Sequence, residues 1–228
     1  MAGATGYTGQ AVVAALRERG LDTVAHVRPD SASHDRWVER FEGLGAQVDS
    51  TPWELDAMRD TLARLEPTAV FALLGTTRRR AAGEGMAATE AYARVDYGLT
   101  KLLLDACGQG APTARFVYLS SLGVQEGTRN PYLAARVRVE RALRDGSQPY
   151  TIARPSFITG PDREDDRPAE RVTAALADAM LTAAGWFGAR RLRARYHSMD
   201  AATLAAGLVR AAFDPQAEGA VLEAGALR

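Results

Sequence analysis

Gly3-Ala4-Thr5-Gly6-Tyr7-Thr8-Gly9-Gln10 stands almost at the N-terminus, and its glycines, three residues apart, run directly into the apolar stretch Ala11-Val12-Val13-Ala14-Ala15-Leu16. The second segment reads as the opening turns of a helix. A glycine-rich turn leading into a helix N-terminus suits a dinucleotide pyrophosphate. Bare backbone can approach the phosphates, the first amides of the helix lack acceptors, and the helix dipole favours negative charge. Gly3, Thr5, Gly6, Tyr7, Thr8 and Gly9 are therefore the expected phosphate-side residues. A buried strand of about five residues ordinarily precedes such a turn, yet only Met1 and Ala2 stand before Gly3. That strand is normally the middle of the sheet. The first strand is therefore expected to be truncated, with further apolar residues preceding Met1 in the natural product.

The 228 residues, 46% of them apolar, suffice for one domain with a substantial core. Basic and acidic residues balance at 28 each, which gives no reason to expect nucleic acid or an anionic membrane as a partner. Lys101 is the one lysine among the basic residues; the others are arginine. The N-terminus does not read as a signal peptide, and no apolar run approaches ~18 residues, so a soluble cytoplasmic protein is expected. The single cysteine, Cys107, follows Leu102-Leu103-Leu104-Asp105-Ala106 on what reads as a buried helix face. Core packing is its expected role, and the three scattered histidines suggest no metal site.

Beyond the glycine turn, short apolar runs alternate with helical patterns. Thr23-Val24-Ala25-His26-Val27-Arg28 reads as a buried strand ending in a cation. The end of the second strand of a dinucleotide-binding unit meets the adenosine ribose, where an acid binds the 2′-OH and an arginine accepts a 2′-phosphate. Arg28 therefore points to NADP(H), while Asp30 keeps NAD(H) in play, and His26 is expected in the core. Residues 33–42 and 54–65 read as amphipathic helices and 46–49 as a third strand. Residues 68–74 form a continuous apolar run, as a parallel strand covered on both faces should. The alternation predicts an α/β protein with a doubly wound parallel sheet, the Rossmann fold. Gly75-Thr76-Thr77 then falls at the sheet edge where ligands bind, its glycine admitting close approach and its hydroxyls able to bond ribose or nicotinamide. Arg78-Arg79-Arg80 is expected to be solvated and followed by a loop, with one long helix over 89–108.

The run 114–119 reads as the fifth strand, ending in Ser120-Ser121-Leu122-Gly123. Eleven residues past Ser121, Tyr132-Leu133-Ala134-Ala135-Arg136 opens a helix. A tyrosine and a cation four apart share a helix face. A phenol with a pKa near 10 needs such a cation to act as an acid or base near neutrality. A serine hydroxyl can bond the same carbonyl oxygen, and the trio suits hydride transfer to or from a carbonyl or alcohol.

On these motifs the chain resembles an atypical or extended short-chain dehydrogenase/reductase, in the branch that contains the HIV Tat-interactive oxidoreductase. The resemblance spans nearly the whole chain. It rests on Gly-Ala-Thr-Gly-Tyr-Thr-Gly at 3–9, Leu-Gly-Thr-Thr at 74–77, Leu-Ser-Ser-x-Gly at 119–123, Tyr132 to Arg136, Arg154-Pro155-Ser156-Phe157 and Gly160-Pro161. It implies Tyr132 as general acid/base, with Ser121 as its hydrogen-bonding partner in preference to Ser120. It places Arg154 and Pro155 beside the nicotinamide. The lysine that in that family bonds the nicotinamide ribose corresponds to Arg136, a departure because a planar fork replaces a point charge. The family's asparagine on the long helix is not evident; Asp96 sits near its place.

Past the strand at 150–153, a charged loop over 162–171, a helix over 172–187 and the cluster Arg190, Arg191, Arg193 and Arg195 precede a closing helix at 201–213. Asp200 is its expected N-cap, and residues 221–223 read as a last strand. The expectation is one domain over 1–228, with 155–200 forming a small C-terminal substrate-binding part. Its partner is a small molecule, and a homodimer is allowed. The leading function is an NADP(H)-linked oxidoreductase. The alternatives are a non-catalytic NADP(H)-binding sensor or partner-binding protein, and a sugar-nucleotide epimerase or dehydratase, against which the short C-terminal part argues.

Overall fold

Two residues stand where the central strand is expected. The Met1 amino group donates to the Val24 carbonyl (2.9 Å), and the His26 amide donates to the Met1 carbonyl (2.9 Å). On the other side the Ala2 amide donates to Phe71 (2.9 Å), and the Leu73 amide donates back to Ala2 (3.1 Å). Ala2 thus makes one parallel pairing, with Ala72. The structure, a computed structural model, describes residues 1–156, 158 and 199–228. The loop, helix and arginine cluster expected over 162–195 lie outside the described residues.

Around this two-residue centre the strands are β1 (Val24–His26), β2 (Gln47–Asp49), β3 (Ala69–Ala72), β4 (Arg115–Leu119), β5 (Tyr150–Arg154) and β6 (Ala220–Glu223). All pairings are parallel, and the order across the sheet is β2-β1, then Met1–Ala2, then β3-β4-β5-β6. The chain winds outward in both directions from the centre, so the crevice at the carboxyl ends of β1 and β3 is the switch point where ligands bind in such sheets.

Period-two alternation sends successive side chains to opposite faces, and the core divides accordingly. Val70, Phe116, Tyr118 and Ile152 pack with Met58 and Leu62 of α3 (Leu55–Leu65), Leu103, Leu104 and Cys107 of α6 (Thr100–Gly110), and Leu143 of α7 (Pro131–Asp145). Phe71, Val117 and Ala153 face the other way. They meet Val12 and Leu16 of α1 (Tyr7–Glu18) and Leu204 and Leu208 of α8 (Ala201–Phe213). Val13, Ala25 and Val27 pack against Phe41 of α2 (His34–Gly43). With helices on both faces, the strands carry apolar residues on both sides. Cys107 is fully buried, its thiol pushed up to about 12 by that burial. Asp200 caps α8 by accepting from the Thr203 amide at 2.7 Å.

Two local departures occur. The stretch after Thr77 is helical, as α4 (Arg78–Gly83) and α5 (Ala88–Ala91), because the Thr77 hydroxyl accepts from the Arg80 amide and caps the first turn. The expected long helix is also not uniform. Between α5 and α6, Tyr92–Leu99 is wound as a π-helix, which turns Tyr92 and Asp96 to the interior. Among the described residues no helix is long and apolar enough to cross a membrane.

A Cβ on Gly9 would collide with the Gly3 carbonyl oxygen and lie 2.8 Å from that of Ala4. Gly9→Ala is therefore expected to destabilise the protein by at least the ~1–3 kcal/mol of an overpacked core. Gly43, whose added Cβ meets nothing within 4 Å, is the control: Gly43→Ala should leave the urea midpoint unchanged or slightly raised.

Candidate functional site: a dinucleotide crevice with a buried charge pair

The glycine turn is built of backbone pressed on backbone. Gly3 has φ +80°, and a Cβ there would lie 2.5 Å from the Leu73 carbonyl oxygen of the strand beside it. Gly6 is the N-cap of α1 and offers no side-chain cap. The first bond of the helix ladder runs from the Gln10 amide to the Gly6 carbonyl (3.0 Å), so the amides of Tyr7, Thr8 and Gly9 have no preceding turn to bond. The Gln10 side chain holds the Thr5 carbonyl at 3.1 Å, and no acidic residue occupies the first turn. First-turn amides without helix partners, the positive end of a dipole and a first turn without acidic residues fit the diphosphate of a dinucleotide. The bare Gly3 and Gly9 positions allow α1 to lie that close to the sheet.

Arg28 lies just past β1, exposed and 3.6 Å from Asp30. Beneath it, His26 is buried, its Nε2 2.8 Å from the Thr51 carbonyl and its ring edge-on to Trp53. Burial lowers the His26 pKa, so the ring stays neutral and Nε2 is the donor to Thr51. It is a core histidine, as expected.

At the carboxyl end of β3 the loop of Gly75, Thr76 and Thr77 lies on a buried ion pair. The Thr76 amide donates to Asp96 Oδ2 (3.0 Å), and Arg136 Nη2 donates to Asp96 Oδ1 (3.1 Å). A Cβ on Gly75 would lie 3.4 Å from both partners of the pair. Arg136 Nη1 donates to the Tyr118 hydroxyl (3.2 Å) and the Leu119 carbonyl (3.1 Å). Its Cζ stands 4.4 Å from the centroid of the Tyr132 ring, which Tyr92 meets edge-on at 5.5 Å. The structure therefore joins Tyr132 to Arg136 by stacking, one helical turn apart, and fastens both to the end of β4 immediately before Ser120 and Ser121.

Burial pushes the Asp96 carboxyl up to about 6, against the pull of Arg136 and the Thr76 amide. Burial also works against the Arg136 charge, but the surrounding Tyr118, Tyr132 and Asp96 outweigh it and Arg136 stays cationic. A lysine could not stand in for this arginine. One ammonium cannot reach three acceptors in a plane and lie flat on a ring.

The two serines separate cleanly. Ser120 is buried and donates to Glu140 Oε1 at 2.6 Å. Ser121 is half-buried, and among the described residues its hydroxyl donates to the Leu122 carbonyl alone, at 3.3 Å. Arg154 donates to Glu140 through Nε (2.9 Å) and Nη2 (2.6 Å), with Glu223 at 3.7 Å. Pro155 is buried and accepts from the Leu122 amide at 3.2 Å. Arg144 completes the set around Glu140 at 2.7 Å. The pairing of Asp96 and the hub at Glu140 escape a reading of the sequence. A usable signal existed for the second: Tyr132, Arg136 and Glu140 repeat every four residues, which puts two charges on the buried face of one helix.

A family profile described as NAD(P)H-binding matches residues 3–183. The chain belongs to this NAD(P)H-binding family. It binds NADP(H) or NAD(H), and the free amides of α1 are where that family membership and the geometry meet. No curated protein matches the chain. Among solved structures it is similar to a Bacillus halodurans protein named as an NAD-dependent epimerase/dehydratase, with a TM-score of 0.64 and 17% identity over 98% of this chain and 94% of that one. It is also similar to a structure from the pinoresinol-lariciresinol and phenylcoumaran benzylic ether reductases, with a TM-score of 0.66 and 16% identity over 96% and 66%. A third likeness is to the terminal R domain of the myxalamid PKS-NRPS pathway, with a TM-score of 0.64 and 17% identity over 96% and 63%. At these identities the likeness establishes a shared Rossmann-like fold.

Glu140 is fully buried. Burial alone would raise its pKa, but donors from Arg154, Ser120 and Arg144 outweigh this and hold the carboxyl below its ordinary value. Removing one partner of a buried charge set costs about 3 kcal/mol, and that is the loss expected for Glu140→Gln in urea unfolding at neutral pH. A depressed folded-state pKa stabilises above the unfolded value of about 4.3. The difference between parent and variant should therefore persist at higher pH and shrink as pH falls through the folded-state value.

Proposed function

We propose that this NAD(P)H-binding protein is an NADP(H)-linked oxidoreductase of the short-chain dehydrogenase superfamily, acting on a carbonyl or alcohol. The observation that carries the reading is the Tyr132 ring stacked on Arg136 and tethered through Leu119 to the strand end that bears Ser121. The order of motifs supports the branch that contains the HIV Tat-interactive oxidoreductase. Residues 155–200 are assigned to the substrate side.

Gly3, Gly6 and Gly9 with the first amides of α1 would hold the diphosphate, Arg28 the adenosine 2′-phosphate, and the loop at 75–77 the nicotinamide end. When bound, the nicotinamide supplies or accepts the hydride. Tyr132 delivers the proton to the carbonyl oxygen, and Ser121 donates a hydrogen bond to the same atom. The Arg136 charge against the ring stabilises negative charge developing on the phenol oxygen as the proton leaves. General acid catalysis of this kind contributes about 10²–10⁴ in rate.

A second reading, a nucleotide-binding sensor without turnover, is favoured by one observation. Both Nη atoms of Arg136 are engaged by Asp96, Tyr118 and Leu119, whereas the corresponding lysine of the resembled family bonds the cofactor's ribose. Turnover of NADPH against a panel of carbonyl compounds separates the two readings.

Two outcomes are expected. Arg28→Ala should erase most of the preference for NADPH over NADH in fluorescence titrations, since one charge-assisted phosphate contact is worth ~1.5–3 kcal/mol; equal affinities in the parent refute the assignment. Tyr132→Phe should lower kcat by about 10²–10⁴ with NADPH affinity unchanged, and undiminished turnover in that variant removes Tyr132 from the mechanism.

A further inference from the structure

We propose that Asp96 is a positioning residue of the cofactor site: its two carboxylate oxygens hold the Thr76 amide on one side and the Arg136 guanidinium on the other. One buried charge pair thereby sets both the loop that faces the cofactor and the ring of Tyr132. The inference rests on the dinucleotide site itself, and its test does not need the oxidoreductase reading.

The geometry argues for position rather than stability. Asp96 has no exposed surface and Arg136 is 6% exposed. Charges so deeply buried are poor stabilisers, and replacing such a pair by apolar residues is often neutral or better. The pair is nevertheless built into a place where three elements converge. Asp96 projects inward from a π-wound segment, a form concentrated at functional sites. Arg136 comes from the second turn of α7, and Thr76 from the loop that closes β3. The Gly75 backbone lies over the pair, where an added Cβ would touch both partners at 3.4 Å, ordinary van der Waals contact. Among the described residues Arg136 Nε has no hydrogen-bond partner, so the fork is oriented by its bonds to Asp96, Tyr118 and Leu119 and by its stacking on Tyr132. Loss of Asp96 releases the Thr76 amide and frees the fork to rotate off the Tyr132 ring.

The test compares affinity with stability. Asp96→Asn keeps an oxygen for the Thr76 amide but removes the charge, leaving Arg136 buried and unpaired. Asp96→Leu combined with Arg136→Met removes both charges and retains apolar bulk. NADPH dissociation constants come from fluorescence titration and melting temperatures from calorimetry. A purely structural role makes affinity follow stability. The positioning role makes them diverge. Asp96→Asn should melt lower and bind NADPH about threefold more weakly, while the double variant should recover the parental melting temperature and yet bind about tenfold more weakly, the loss of a charge-assisted anchor. A folded double variant with parental affinity overturns the proposal. Where the double variant does not fold, parental affinity in Asp96→Asn overturns it equally. A parent protein that reduces no carbonyl compound defeats the oxidoreductase reading and leaves this comparison intact.

Discussion

Main-chain hydrogen bonds on Met1 and Ala2 hold the two halves of the sheet together. β1 and β2 are bonded to the other four strands through these two residues, with Ala2 and Ala72 the single paired position on the β3 side. The phosphate turn begins at the very next residue, with Gly3 folded against the Leu73 carbonyl. The centre of the sheet and the floor of the cofactor crevice are therefore one short piece of backbone. A side chain at Gly3 or Gly9 would part α1 from the strand that positions it, and the first-turn amides of α1 would move with it.

A second layer of order is polar and lies under the carboxyl ends of β3, β4 and β5. Two acids are fully buried there, each answered by arginine: Asp96 by Arg136, and Glu140 by Arg154 and Arg144. They do different things. Asp96 and Arg136 reach the groups that face the crevice, namely the loop at 75–77 and the ring of Tyr132. Glu140 binds Ser120 and the end of β5, well inside the wall. Consecutive serines thus divide between framework and site. Ser120 is tied into the framework, which leaves Ser121 as the hydroxyl that the proposed reaction would use.

The fold was legible in the sequence wherever periodicity was strong. The runs at 68–74 and 114–119 became β3 and β4, the glycine turn became the start of α1, and Asp200 became a cap, since each depends on local pattern. The π winding of 92–99 was not legible, because one residue of extra winding leaves the apolar spacing nearly helical. The contacts of Arg136 were equally hidden. Its hydrogen-bond partners come from positions 96, 118 and 119, and no local spacing connects them to it. The same holds for Arg154, which the family resemblance places beside the nicotinamide and whose guanidinium bonds Glu140. The sequence marked which residues carry charge; folding decided which of those charges are already answered within the protein.

Cys107 gives the molecule an internal clock for its own opening. It is the only cysteine, it is fully enclosed between α6 and the sheet, and its thiol is protonated at any pH near neutrality. Thiolate is the reactive form, so a soluble thiol reagent reaches this sulfur only when the helical layer lifts from β3 and β4. The rate of labelling then measures how often that layer separates. Any slowing by bound NADPH measures how firmly the dinucleotide locks the two halves of the sheet to their helices.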